Sequence, residues 1–579
     1  MDSKMYINVV HRIGTDADID AFLKQQEICH KHHIRTTMMI LPEGMNSEKI
    51  VKIVKEENEK YGDEIALGFH VLDVETKETL CTKEDMIWLT DFELRKEILH
   101  RLFGKFHSLF GFYPGSVSSY VLDARTLNFI HENYSSVKAA ITSCFEEGFK
   151  MFYGNQNMWH LFSDGGPWGA YYPSKYNALI PAANKEEFCG IVGLPHLNRD
   201  MIMAFTSRDD LFSSHVTNVI RAKAYDAKTG ECPYTFDFID MWLEQLNYNS
   251  FGYYNIFVGP AWLTDQTMLD EPGSYTVQLY EENMAYLEEK MRENKIETMT
   301  MTQFGEWFME NVKVATPEVN SWRDIICGSK RTMYWYVDPM MRVAFDGNIG
   351  GAICDLRPYI GRLNKDTGPD TENLCNMNQP YLISAEMRGG VHGGSLHTLK
   401  ICVNEKEYCI ALKRTTFEVF GNSKVKIMPM TIKVDGVEVT FDSIIKFSGN
   451  GEMLITRRLL GVSDENAKIQ FAEYNRTCYG DTQYPQDMRA CLMMLEDDNG
   501  IETIPYRYSS KTIEKEHIRK LRAVYPQIDT CIEMEVLSDK TIGKAEDGYL
   551  FSPFITLTAE RVMKKGEEFK VCLKIKQAD

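Results

Sequence analysis

The stretch that decides the fold is Glu64-Ile65-Ala66-Leu67-Gly68-Phe69-His70-Val71-Leu72-Asp73, which is typical of a buried β-strand ending in a histidine and a carboxylate. Two similar strands precede it at residues 6–11 and 35–41, and helical segments separate all three. Repeated strand–helix units force neighbouring strands to run parallel, and parallel strands are buried on both faces. The polar residues at the ends of such strands should therefore converge on one mouth, where barrel enzymes keep their active sites.

The same alternation continues to about residue 311. Helical spacing of apolar residues predicts helices at 18–33, 47–61, 92–110, 124–133, 236–246 and 278–294. Between them lie short apolar runs at 114–122, 137–144, 191–196, 253–258 and 296–301. Seven or eight strand–helix units favour a closed barrel over an open sheet, so we predict a seven-stranded, parallel α/β barrel over residues 1–311.

A different pattern begins near residue 331. Apolar and polar residues alternate with period two, and Val434-Asp435-Gly436-Val437 is a strong hairpin signal. One helix is expected around residues 514–521. The pattern predicts an antiparallel β-sandwich domain over 331–579, joined to the barrel by a linker at 312–330.

Charge and cysteine usage narrow the function class. The net charge of −19 argues against nucleic acid and against an anionic membrane surface as partners. The 14 cysteines include no Cys-x-x-Cys pair, which excludes zinc-finger spacing and fits a reducing compartment. With no apolar leader and no long apolar run in the sequence, a cytoplasmic location is expected. Homo-oligomerisation is left open.

A family resemblance rests on Gly68-Phe69-His70, on Gly111-Phe112-Tyr113-Pro114-Gly115 and on Asp123-Ala124-Arg125-Thr126-Leu127, followed by the loop that starts at Tyr171-Tyr172-Pro173. In this order they resemble the glycoside hydrolase/polysaccharide deacetylase superfamily, in particular a bacterial branch with a C-terminal β-sandwich. The resemblance implies an irregular seven-stranded barrel. The chain departs from the deacetylase pattern, because His11-Arg12 stands where two adjacent aspartates are expected and Val74 where a second histidine is expected. Zinc deacetylation is therefore the weaker hypothesis.

Three carboxylates are candidates for glycosidic bond cleavage, which usually requires one acid and one base or nucleophile. Glu146 leaves a buried strand directly, Asp200 lies just past Leu194-Pro195-His196, and Asp123 ends the strand before residue 124. The alternative for Asp123 is a helix N-cap.

Further residues are candidates for holding the sugar. His11 and His70 should sit on neighbouring strands at one rim, either binding hydroxyls or holding a divalent metal with Asp73 or Asp18; the alternative is two structural histidines. Aromatic rings of a long loop could form a stacking platform, or simply pack the loop, while other polar and aromatic residues follow later strands. These predicted binding residues are Trp168, Tyr171, Tyr172, His196, Arg199 and Trp262.

Together these patterns predict a glycoside hydrolase that acts on a small oligosaccharide or glycoside, with Glu146 and Asp200 as the catalytic pair and no cofactor. The first alternative is a metal-dependent carbohydrate deacetylase that uses His11 and His70 as ligands. The second is a non-catalytic carbohydrate-binding protein with the same barrel.

Overall fold

The computed structural model describes residues 3–69, 91–119, 122–143, 166–196, 198, 200–202, 235–260, 263, 274–325, 329–360, 381–384, 395–478, 488–550 and 552–578. The chain forms two compact units. The first comprises Met1–Val314, Ile325–Gly328 and Asn364–Asn378, and the second comprises Ala315–Asp324, Ser329–Leu363 and Gln379–Asp579.

The first unit contains a parallel sheet that curls into a barrel. Seven strands follow the order β6-β5-β4-β3-β2-β1-β7, and an eighth, β8, pairs with the beginning of β1. This confirms the α/β barrel. The strands are β1 (Met5–Ile13), β2 (Thr37–Ile40), β3 (Glu64–Gly68), β4 (Ser116–Ser118), β5 (Ala139–Ser143), β6 (Val192–Pro195), β7 (Gly252–Val258) and β8 (Ile296–Thr298).

Seven helices are described in this unit: α1 (Ile19–Lys31), α2 (Glu48–Tyr61), α3 (Phe92–Phe110), α4 (Ala124–Asn133), α5 (Thr235–Glu244), α6 (Ser274–Arg292) and α7 (Met301–Asn311). Local chemistry fixes several ends. Ser47 caps α2 by accepting a hydrogen bond from the Ile50 amide at 3.3 Å. Gly111 ends α3 with a left-handed φ of 81°, which glycine adopts without strain.

One apolar core lies between the outer face of the sheet and helices α1 to α4. It includes Ile13 of β1, Ile40 of β2 and Leu67 of β3, packed with Val54 of α2 and Leu99 of α3. Because side chains alternate along a strand, this core identifies the odd-numbered residues of β1 as its outer face and the even-numbered residues as its inner face.

Helix α7 meets the inner face at the amino-terminal end of the barrel strands. The carboxylate of Glu64 accepts hydrogen bonds from the Thr302 amide at 2.9 Å and the Thr302 hydroxyl at 2.5 Å. A carboxylate at a helix N-terminus also complements the helix dipole. The Tyr6 ring packs against Trp307 at a tilt of 36°, with ring centroids 3.9 Å apart. The barrel is thus held at this end by a helix that the sequence pattern did not predict.

The second unit is an antiparallel β-sandwich, as predicted. An 11-stranded sheet has the order β23-β26-β27-β20-β14-β12-β11-β10-β9 with β13 and β15 at its side, and a nine-stranded sheet has the order β16-β17-β18-β19-β28-β25-β24-β21-β22. The strands are β9 (Glu318–Arg323), β10 (Thr332–Asp338), β11 (Met341–Asp346), β12 (Ala352–Pro358), β13 (Ile383–Ser384), β14 (Leu396–Val403), β15 (Lys406–Cys409), β16 (Phe417–Phe420), β17 (Lys424–Val434), β18 (Val437–Phe447), β19 (Glu452–Val462), β20 (Ile469–Thr477), β21 (Leu492–Asp497), β22 (Gly500–Pro505), β23 (Thr512–Lys515), β24 (Lys520–Tyr525), β25 (Thr530–Val536), β26 (Ile542–Leu550), β27 (Ser552–Met563) and β28 (Glu568–Gln577).

Aromatic rings join the two sheets. Tyr336 of β10 stacks on Phe447 of β18 at 3.9 Å between centroids. A buried ion pair also crosses between them: Arg457 of β19 donates to Glu473 of β20 at 2.5 and 3.1 Å, and His397 of β14 contacts the same carboxylate at 2.8 Å. Burial alone would raise the pKa of Glu473, but the charge of Arg457 and the hydrogen bonds from His397 and Arg457 outweigh it and lower that pKa to about 2.

One sequence prediction fails in this unit. The helix expected around 514–521 is wrong, because Thr512–Lys515 and Lys520–Tyr525 are strands. Within the residues assigned to the linker, Glu318–Arg323 forms strand β9 and pairs with β10 over its whole length. Among the described residues, no helix combines the length and the apolar character needed to cross a membrane.

Candidate functional site

Two asparagine side chains bridge the gap between β6 and β7, the first and last strands of the barrel order. Asn198 donates to the Tyr253 carbonyl at 3.0 Å and accepts from the Asn255 amide at 2.8 Å. In return, Asn255 donates to the carbonyls of Pro195 and His196, both at 3.0 Å. Asn198 therefore supplies to β7 the donor and the acceptor that a neighbouring strand would supply. We call this arrangement the amide bridge.

Asp200 and His196 flank the amide bridge on the segment that follows β6. The Asp200 side chain is fully buried and His196 is 7% exposed. The His196 ring packs on Phe257 of β7, with centroids 4.5 Å apart. Residues 201 and 202 are helical, so Asp200 also stands where an N-cap would. The structure thus brings two predicted site residues to the carboxyl-terminal side of β6, where a carboxyl group and an imidazole can act on a ligand.

His11 lies on the outer face of β1, away from the predicted mouth. It is fully buried, with Nδ1 donating to Gln26 Oε1 of α1 and Nε2 accepting from the Tyr280 hydroxyl of α6, both at 2.5 Å. Burial lowers its pKa to about 4, so the ring is neutral at pH 7. The prediction that His11 binds sugar or metal at the rim beside His70 is therefore wrong, and β2 separates β1 from β3. Asp18, a proposed third ligand, accepts from Thr15 at the start of α1.

Arg12 is a candidate that the sequence analysis missed. It follows His11 in β1, so strand alternation directs it to the inner face with Asn8 and Val10. Asn8 shares this face with Tyr253 of β7, whose hydroxyl donates to Asn8 Oδ1 at 2.8 Å. Arg12 is half-buried near the carboxyl end of its strand. A guanidinium there suits recognition of hydroxyl or carboxylate oxygens. Knowing which face of β1 is outward would have identified it.

Asp123 is a helix N-cap, which was the alternative to a catalytic role for this residue. One carboxylate oxygen accepts from the Thr126 amide at 2.7 Å, which caps α4. The other forms a fully buried ion pair with Arg95 of α3. Because both oxygens hold the fold together, Asp123 is not retained as a catalytic candidate.

The predicted aromatic platform is also corrected. Trp168, Tyr171 and Tyr172 are buried, at 3 to 6% exposure. Tyr171 donates to the Ala178 carbonyl at 2.6 Å, and Tyr172 donates to the carbonyls of Phe308 and Val312 at the end of α7, both at 2.8 Å. The two tyrosines therefore stabilise the loop and helix α7 and present no open face for a sugar.

The other predicted site residues, Glu146, His70, Arg199, Trp262 and Asp73, lie outside the described residues. They stay predictions from the sequence.

Comparison with protein families gives one match. The family model described as "Domain of Unknown Function with solved-structure structure (DUF3863)" matches residues 36–320, which run from β2 of the barrel into β9 of the second unit. A search of curated proteins found no match.

Several solved structures are similar to this chain. A candidate glycoside hydrolase/deacetylase from Parabacteroides distasonis is 14% identical, with a TM-score of 0.46, covering 62% of this chain and 85% of its own. The 4-alpha-glucanotransferase from Thermococcus litoralis is 10% identical, with a TM-score of 0.29, covering 99% and 100%. A galactose mutarotase-like protein from Clostridium acetobutylicum is 11% identical, with a TM-score of 0.30, covering 45% and 97%. The resemblance to the glycoside hydrolase/deacetylase superfamily is confirmed as a resemblance, and at these scores it does not bear on the reaction.

Proposed function

We propose that this chain is a carbohydrate-active hydrolase whose barrel cleaves a glycosidic bond in a small oligosaccharide or glycoside. Asp200 supplies one catalytic carboxyl group and Glu146, which follows β5 in the sequence, supplies the other. His196 and Arg12 are assigned to the binding of substrate oxygens. A carbohydrate is the proposed partner.

The observation that carries this proposal is the position of Asp200. It is a fully buried carboxyl group on the segment after β6. The carboxyl ends of parallel strands are where barrel enzymes place their reactive groups. Asp200 follows β6, and Glu146 follows β5 in the sequence. Because β5 and β6 pair with each other, the two acids follow adjacent strands. A pair of carboxyl groups across a glycosidic bond is what acid–base hydrolysis requires.

The test is to measure hydrolysis of a panel of aryl glycosides and short oligosaccharides by the wild-type protein and by Asp200→Asn and Glu146→Gln. Each substitution keeps the shape of the side chain and removes the ionisable group. Loss of a general acid or base should lower kcat by about 10²- to 10⁴-fold. Turnover that survives either substitution would remove that residue from the mechanism.

Asp123→Asn provides the matched control. It changes the same residue type in the same unit, but at a carboxylate whose role is to cap α4 and pair with Arg95. We expect Asp123→Asn to lower thermal stability while leaving the kcat of the folded fraction within a few-fold. For each variant, the loss of activity is compared with the fraction of protein that is unfolded. If Asp200→Asn, like Asp123→Asn, loses activity only in proportion to its unfolded fraction, the assignment of Asp200 is wrong.

A metal-dependent deacetylase receives no support from the described residues. Its expected first ligand, His11, has both ring nitrogens bonded to Gln26 and Tyr280. A barrel metal would need ligands other than that histidine.

A further inference from the structure

A second group of ionisable side chains lies at the opposite end of the barrel from Asp200. His30 near the end of α1, Glu57 near the end of α2 and Asp63 just before β3 each place one ligand atom within 4.8 Å of the other two. The side chains of His30, Glu57 and Asp63 are 11%, 16% and 0% exposed. The proposed hydrolysis does not use this cluster.

The donor set has the chemistry of a transition-metal site. One imidazole with two carboxylates is a combination that Zn²⁺ and related divalent ions bind. His30 Nε2 lies 2.7 Å from Asp63 Oδ2, and His30 Nδ1 lies 3.5 Å from Glu57 Oε2. Ligand atoms about 2.1 Å from a tetrahedral ion are about 3.4 Å apart. The two carboxylates lie at different nitrogens of the His30 ring, and an ion binds only one nitrogen. Because one ligand atom of each residue lies within 4.8 Å of the other two, a rotation of the Glu57 or His30 side chain would bring three ligands around one ion.

Groups outside the cluster hold two of its members in place. Asp63 Oδ1 accepts from the Thr36 amide at 2.8 Å, and Oδ2 accepts from Gln26 Nε2 at 3.0 Å. The His30 ring stacks on Tyr61, with centroids 3.5 Å apart. Such outer contacts orient ligands in metal proteins, and they fix the carboxylate and the imidazole here before any ion arrives.

The charge balance also favours a cation. Two carboxylates face a single imidazole in a mostly buried setting. Lys60 stacks over the Tyr61 ring at 4.6 Å. A divalent ion would neutralise both carboxylates at once.

We propose that His30, Glu57 and Asp63 bind one divalent transition-metal ion, with Zn²⁺ as the best fit, at the amino-terminal end of the barrel. This site is separate from the proposed catalytic residues. Its ion would tie the ends of α1 and α2 to the start of β3.

The test is calorimetric titration of ZnCl₂, with MnCl₂ as a second probe, into full-length protein freed of metal by chelator. The wild type should bind one equivalent of zinc, and zinc should raise its melting temperature. His30→Gln and Glu57→Gln should weaken zinc binding at least about 10-fold and remove the thermal shift. Glu57 is the less buried partner on the helix surface, so Glu57→Gln carries the test if His30→Gln does not fold.

His33→Asn is the matched control, because His33 is an exposed histidine three residues from His30. It should bind zinc as the wild type does. Two results would overturn the proposal. If the wild type binds no zinc, the three side chains only bond one another. If His30→Gln binds zinc with the same affinity as the wild type, the ion lies elsewhere. Both can be decided without any glycosidase assay.

Discussion

The amide bridge makes a prediction that can be worked out from its hydrogen bonds. Asn198→Ala removes the partner of the Tyr253 carbonyl and the partner of the Asn255 amide, at a position that is 1% exposed. A buried backbone group without a partner costs about 1–3 kcal/mol. Two such groups give about 2–6 kcal/mol. Because a water molecule can enter the polar space left by the amide, we expect about 2–4 kcal/mol.

The isosteric variant Asn198→Asp separates hydrogen bonding from packing. Its carboxylate still accepts from the Asn255 amide, but its second oxygen faces the Tyr253 carbonyl, where the native group is a donor at 3.0 Å. Protonation would restore a donor, so folding should raise the pKa of this Asp above its unfolded value. A raised pKa stabilises the fold at low pH, and that stabilisation is lost as pH rises through the folded pKa. The stability deficit of Asn198→Asp should therefore be large at pH 7 and shrink toward pH 4.

The assay is urea unfolding of wild type and variants, followed by tryptophan fluorescence, at pH 7 and at pH 4.5. Asn311→Ala is the control, since Asn311 makes one exposed hydrogen bond to the Trp307 carbonyl at 2.8 Å. It should change the free energy of unfolding by less than about 0.5 kcal/mol. The reasoning is refuted if Asn198→Ala unfolds at the same urea concentration as the wild type. It is also refuted if the loss of unfolding free energy in Asn198→Asp is the same at both pH values.

Three further predictions concern groups that hold each unit together. Burial lowers the pKa of His11 to about 4, so its contribution to the free energy of unfolding is present above about pH 6.5 and is lost as pH falls toward 4. The corresponding loss of about 3 kcal/mol should be visible in pH-dependent melting and absent in His11→Gln. Glu473→Gln should destabilise the sandwich by about 3–5 kcal/mol, because it leaves Arg457 buried without its carboxylate, and acid unfolding of the wild type should draw on Glu473 between about pH 4.5 and 2. Glu64→Gln should lower stability by about 0.5–2 kcal/mol by weakening the cap on α7, and Glu48→Gln, at an exposed helix start, should not.

Local signals in the sequence predicted local structure well. The bounds of α3 and α4 match the predicted helices at 92–110 and 124–133, because apolar spacing and end caps together define a helix. The hairpin at Val434–Val437 is confirmed by the register of β17 with β18 and by positive φ at Asp435 and Gly436. These features depend on residues close together in the chain.

Two errors came from signals that were overlooked or ambiguous. Helix α7 has a capping box in which Thr300 and Gln303 bond each other's backbone amides, and this Thr-x-x-Gln pattern is visible in the sequence. The false helix at 514–521 had suitable spacing, but His517 adopts a left-handed φ of 55°, which no helix interior allows. Pairing of β23 and β24 with distant strands overrode the local preference.

The direction of site residues could not be predicted from the sequence. A parallel strand covered on both faces is apolar on both, so β1 gives no sign of whether His11 or Arg12 faces inward. That choice is made by Gln26 and Tyr280, which are 15 and 269 residues away from His11. The prediction of an aromatic platform was wrong for the same reason, because Tyr172 bonds the carbonyl of Phe308 in α7, 136 residues later.

The buried carboxylates of the barrel unit support the choice of Asp200 by their positions along the chain. Among the described residues of that unit they are Asp63, Asp123, Glu187 and Asp200. Thr36 and Gln26 fix Asp63, Thr126 and Arg95 fix Asp123, and Ser174 and Ala183 fix Glu187. Reactive groups of barrel enzymes lie where the parallel strands end. Asp63 precedes β3 and Glu187 precedes β6, so neither follows a barrel strand directly. Asp123 and Asp200 both come after a strand, and Asp200 follows β6, the neighbour of the strand that precedes Glu146 in the sequence. Asp200 is therefore the carboxyl group to substitute first, with Asp123 as its comparison.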